Sequence, residues 1–178
     1  MVKRILSIAA ILITLSASSY AQQIQTPPPP PPADDVTVQP RHEMPAFNIR
    51  KLDSVSVFNT YNIPKGKAVV LMLFMPECEH CQKMTERLIA GMDTVKNINF
   101  YLFSPAPLFR VREFYAKYHL AKYKNIILAG ECIEDTYAMY YKARAVPYLT
   151  IYDRNKKYLR SFESTANLAE MEMLSKQH

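Results

Sequence analysis

The apolar positions of this chain fall into blocks that switch between two periods. Residues 68–75 (AVVLMLFM) are apolar without interruption, the pattern of a strand buried on both faces. After Pro76 and Glu77 the spacing becomes helical. Cys81, Met84, Thr85, Leu88 and Met92 share one stripe, with Gly91 as terminator. A second strand is predicted at 98–103, then a helix at 107–118 carrying Leu108, Val111, Phe114 and Tyr115 on one face. A third strand at 125–129 and a short tyrosine-rich helix at 134–142 follow. Residues 146–152 and 157–162 read as a hairpin around the turn at 153–156, and 167–176 closes the chain as an amphipathic helix. Ahead of the central strand, 44–49 and 55–58 read as short strands. Strands alternating with helices, then a hairpin and a last helix, predict an α/β domain whose mixed sheet is covered on both faces.

The first 41 residues follow another logic. Lys3 and Arg4 precede an apolar stretch at 5–15, and Ser19-Tyr20-Ala21 resembles a small-x-small cleavage site. The stretch is shorter than the roughly 20 residues of a spanning helix. A signal peptide is therefore expected at 1–21, with export to the periplasm and a soluble mature chain, in preference to an uncleaved anchor. Residues 22–41 are expected to be a disordered linker. Its six consecutive prolines, Pro27 to Pro32, favour a polyproline II spacer of roughly 19 Å. The folded domain is expected at 42–178. The net charge is +6, and loss of Lys3 and Arg4 would leave +4 (6 − 2). The cations are scattered, with no basic stripe interleaved with aromatics, so nucleic acid is not expected as a partner.

The chemistry sits at the junction of the central strand and the first long helix. Cys78-Glu79-His80-Cys81 opens that helix, where free N–H groups and the macrodipole stabilise a thiolate, the nucleophilic form. The i, i+3 spacing puts both sulfurs on one face, close enough for a small disulfide ring. Of three cysteines in an exported chain, these two form the pair and Cys132 is left over. Cys132 is read as an inert, half-buried thiol, ahead of an intermolecular disulfide or a third redox partner.

Two segments together, residues 73–81 and 145–152, resemble the thioredoxin superfamily, and within it the exported TlpA/ResA-like branch. The separation of 69 positions from Cys78 to Pro147 leaves room for that branch's extra strand–helix insertion. The resemblance implies a thioredoxin-like fold with extra N-terminal strands and a central insertion. It implies that Pro147 follows a cis bond against the two sulfurs, and that Val146 offers its backbone to an extended substrate. Thiol chemistry then makes Cys78 the attacking and Cys81 the resolving sulfur, with Glu77, Glu79 and His80 as tuning residues. One partial cation against two carboxylates favours a reductant over a strong oxidant. Protein thiol or disulfide clients and a membrane-bound electron donor are the expected partners, and no cofactor or metal is expected.

The chain departs from that family at several points. It has no tryptophan, and Met72 and Met84 stand where the family often places buried acids, so no proton acceptor for Cys81 is identified. Two other readings stay open. Cys78, His80 and Cys81 are soft ligands that could handle copper or zinc, although neighbouring His80 and Cys81 cannot easily share an ion with Cys78 on a regular helix. Alternatively the chain is a non-catalytic module that binds a peptide along Val146 and Pro147.

Overall fold

The structure is a computed structural model that describes residues 43–177. The expected signal peptide (1–21) and linker (22–41) lie outside the described residues, as do His42 and His178.

One seven-stranded sheet organises the domain. Its strands are β1 (Asn48–Lys51), β2 (Val57–Asn59), β3 (Ala68–Leu73), β4 (Ile98–Ser104), β5 (Ile126–Cys132), β6 (Tyr148–Tyr152) and β7 (Tyr158–Glu163), in spatial order β2-β1-β5-β4-β3-β6-β7. β3, β4 and β5 run parallel, and β1, β2, β6 and β7 add antiparallel pairs at the flanks. The helices are α1 (Glu79–Ala90), α2 (Leu108–Lys117), α3 (Thr136–Tyr141) and α4 (Leu168–Ser175). This is the mixed α/β sheet that the periodicities predict.

Strand alternation sorts β3 between two cores. Val70 and Met72 pack with Met84 and Leu88 of α1, Val111 and Phe114 of α2, and Met171 of α4. Val69, Leu71 and Leu73 face the other way, onto Phe47, Tyr101, Phe103 and Tyr137 of α3. Every residue of β3 is buried, which is why its sequence is apolar on both faces. β5 with α3 is the extra strand and helix between β4 and β6, and β1 with β2 is the N-terminal addition.

Several boundaries shift from the expected ones, each for a local reason. The central strand stops at Leu73, two residues early. Phe74 N–H still reaches Phe103 O at 3.0 Å, but Pro76 has no N–H to continue the ladder. The first strand starts at Asn48, and not at Met44, because a side chain takes over the backbone groups there. Thr60 Oγ1 accepts Phe47 N–H at 3.0 Å and donates to Pro45 O at 2.7 Å. β5 runs three residues past Ala129, because Gly130 lets β1 come close. A Cβ there would lie 2.3 Å from Arg50 O. The helix expected at 134–142 shrinks to Thr136–Tyr141, and Asp135 gives it no side-chain cap.

Candidate functional site

Cys78 is the N-cap of α1, not its first helical residue. Its backbone is extended (φ −75°, ψ 119°), and its Sγ accepts the N–H of Cys81 at 3.4 Å. A serine or aspartate usually performs this task with oxygen. Here the capping atom is the sulfur itself, so the helix end directs a donor and its positive pole at Cys78. Cys78 as a whole is half-buried, and its S–H donates to Val146 O at 3.5 Å. The Val146–Pro147 peptide bond is cis, and Pro147 is buried. The structure thus brings Cys78, Cys81 and Val146 together.

Cys81 sits in the opposite environment. It is fully buried among core side chains, and its Sγ accepts Met75 N–H at 3.5 Å. Burial pushes its thiol from 9.0 up to about 12; the Met75 N–H pulls the other way, and neighbouring Cys78 adds to the rise. Met72 and Met84 are both buried, and Thr85 Oγ1 donates to Cys81 O at 2.9 Å. No carboxylate is hydrogen-bonded to the Cys81 sulfur among the described residues. Cys78 is half-buried and Cys81 is buried.

The three flanking residues are arranged less simply than their charges suggest. Glu77 lies 3.6 Å from Arg110 Nε, and Arg110 also pairs with Glu113 at 3.3 Å. Glu79 pairs with Lys83 at 2.5 Å, one turn along α1, and that contact holds its carboxyl below the usual range. His80 is exposed. Each carboxylate therefore faces a cation, Arg110 being shared between Glu77 and Glu113, and the negative charge counted from the sequence is partly offset. Cys132 is buried at the end of β5, its S–H donating to Glu134 O at 2.7 Å, and burial raises its pKa. Among the described residues, no three His, Cys, Asp or Glu side chains are grouped so as to hold a metal ion.

No protein-family model matches the chain, and no curated protein matches it. Solved structures do. A thioredoxin-like protein from Aeropyrum pernix aligns with TM-score 0.58 and 18% identity, over 75% of this chain and 89% of that one. A secreted Mycobacterium tuberculosis disulfide oxidoreductase homologous to E. coli DsbE aligns with TM-score 0.55 and 16% identity, over 72% and 93%. A thiol:disulfide interchange protein of the thioredoxin family from Chlorobium tepidum aligns with TM-score 0.56 and 14% identity, over 76% and 94%. The fold is thioredoxin-like. In this thioredoxin-like domain, the cysteine pair stands just beyond the C-terminal end of β3, beside the loop that leads into β6.

Two residues that touch this region were not singled out in the sequence. Arg110 belongs to the first turn of α2 and reaches Glu77 across 33 positions. Glu163 ends β7 and accepts the N–H groups of Arg144 and Ala145 in the loop before Val146. The hairpin register that pairs Tyr148 with Glu163 could have placed the second. Nothing in sequence spacing points to the first. The tyrosines of α3 and β6 form an interlocking set of rings, with Tyr137 and Tyr152 fully buried in the core.

Proposed function

We propose that this chain is an exported thiol–disulfide oxidoreductase that exchanges disulfides with protein clients through Cys78 and Cys81, working as a reductant. The observation that carries the reading is the contrast between the two sulfurs. Cys78 is partly exposed and caps a helix, whereas Cys81 is buried, with a thiol pushed up to about 12.

In the forward cycle, the Cys78 thiolate attacks one sulfur of a client disulfide. The client S–S bond breaks, a Cys78–client disulfide forms, and the second client sulfur leaves as a thiolate. Cys81 then loses its proton and attacks Cys78 Sγ, releasing the first client sulfur and closing the Cys78–Cys81 disulfide. The client gains two electrons, and the protein must regain two from a membrane-bound dithiol donor. Val146 supplies the backbone against which an extended client segment lies, with Pro147 beside the sulfurs.

The direction rests on weak tuning. His80 is exposed and its influence is screened by solvent, while Glu77 and Glu79 are partly neutralised by Arg110 and Lys83. The helix end is then the main stabiliser of a Cys78 thiolate. A secreted homologue of DsbE among the structural neighbours is in keeping with export. No described helix is long and apolar enough to cross a membrane.

The test is the redox equilibrium of the pair, poised in dithiothreitol or glutathione buffers and read by alkylation and mass. A potential of roughly −270 mV agrees with a reductant. A value of roughly −120 to −180 mV reverses the direction, since that range belongs to oxidants and isomerases. Absence of any two-electron transition overturns the reading in favour of a binding module.

A further inference from the structure

Resting on the exchange reading above, we infer that Glu163 is a positioning residue for the client: its carboxylate clamps the loop that presents Val146. The backbone donors across that loop are each committed to a partner up to Val146. Lys142 N–H goes to Met139 O at 3.3 Å and Ala143 N–H to Ala138 O at 3.0 Å, both finishing α3. Lys142 then takes a left-handed conformation (φ 51°), and the next two N–H groups turn towards a single atom. Arg144 N–H and Ala145 N–H donate to Glu163 Oε1 at 2.8 and 2.7 Å. Two successive N–H groups around one anion form a backbone nest, and here the anion is a side chain of the same domain.

The clamp is reinforced from the other strand. Ser164, also left-handed (φ 66°), donates its N–H to Pro147 O at 2.8 Å. Glu163 and Ser164 thus hold the loop on either side of Val146. Every N–H from Lys142 to Ala145 is used inside the protein. The next one, Val146 N–H, has no partner among the described residues, and Val146 O is turned to Cys78. The arrangement leaves that donor for an incoming chain and fixes its direction relative to the attacking sulfur. A loop free to swing would lose that alignment while leaving the sulfurs themselves in place.

The experiment compares two disulfides on the full chain: oxidised glutathione, and a peptide of about ten residues closed by an internal disulfide. The quantity read is the ratio of peptide to glutathione reduction rates, because only the peptide lies along Val146. For Glu163→Ala the ratio falls about tenfold, the size expected when a charged hydrogen-bonding partner is lost. Glu163→Gln keeps an acceptor oxygen at the same reach and recovers the ratio to within about threefold of wild type. Glu163→Asp keeps the charge but falls a methylene short, and behaves like the alanine variant. Amide exchange by NMR gives an independent reading: Arg144 and Ala145 lose protection about tenfold in Glu163→Ala.

An unchanged ratio, or unchanged protection at both amides, overturns the clamp while leaving the exchange reading intact. So does a normal ratio in Glu163→Asp with a reduced one in Glu163→Gln, since charge and not the clamp would then be responsible. A wild-type protein inert towards both disulfides fells the exchange reading itself, and the clamp's role with it.

Discussion

Resolution of the mixed disulfide should be the slow, base-limited half of the reaction. Cys81 has a thiol pushed from 9.0 to about 12, chiefly by burial. At neutral pH that reduces its thiolate on the order of a thousandfold relative to an ordinary thiol. Part of the loss is returned, because a more basic thiolate is a stronger nucleophile with a Brønsted slope of about 0.4–0.5. A thousandfold change in basicity at that slope restores about sixteen- to thirtyfold, leaving a net penalty of about thirty- to sixtyfold. In the mixed disulfide Cys78 no longer carries a charge, so its contribution to the rise disappears. The burial contribution, the largest, remains.

Met72 and Met84 supply no carboxylate to take the Cys81 proton, so hydroxide or buffer must do so. The rate of closure should therefore climb close to tenfold per pH unit from pH 7 upward, without levelling before about pH 10. The assay is reaction with dithionitrobenzoate in a Cys132→Ala background. The first thionitrobenzoate released reports attack by Cys78. The second reports attack by Cys81 on the Cys78 mixed disulfide. A second phase that reaches its plateau below pH 9 would refute the reasoning, and would mean that a proton acceptor near Cys81 has been overlooked.

Trapping separates the sulfurs in another way: Cys81→Ser should accumulate disulfide-linked partners through Cys78, whereas Cys78→Ser should not, and equal trapping by both would remove the assigned roles. Gly130→Ala should destabilise the domain by about 2–3 kcal/mol, since the new Cβ would meet Arg50 O at 2.3 Å and Ile49 Cγ2 at 2.6 Å. An unchanged urea midpoint would refute that. Alkaline pH should weaken the fold. Burial raises Cys81, Tyr137, Tyr141 and Tyr152, so the unfolded chain releases these protons first, and stability present below about pH 9 is lost progressively above it. Urea titrations from pH 7 to 11 measure it, and a flat profile contradicts the burial of these groups.

The parts of this protein that were legible in its sequence are those where one short segment contains the whole cause. β3 is legible because a strand covered on both faces cannot alternate, and α1 because Cys81, Met84, Thr85 and Leu88 recur at helical spacing; that Cys78 caps the helix and does not open it is seen only in the structure. The Cys78–Cys81 pair was visible for the same reason, as strand, turn and helix start lie within fourteen consecutive residues (68–81). What stayed hidden depends on where distant segments meet. Glu77 and Glu79 look like two anions beside a sulfur when only their neighbours in the chain are counted. Arg110 changes that count, and it reaches Glu77 only because α2 begins where β4 ends, beside the end of β3. The first strand was misplaced because Thr60 Oγ1 satisfies groups thirteen and fifteen residues away, leaving no reason for a ladder at Met44 to Phe47. Glu163 is the instructive intermediate case. The alternating strand is legible at 157–162, one residue short of Glu163, whose contact is set by its register against Tyr148, since one residue of slip would turn the carboxylate to the other face of the sheet. Spacing within one short segment thus locates the cysteine pair, while the groups that surround it are fixed by register and by the order of strands in the sheet.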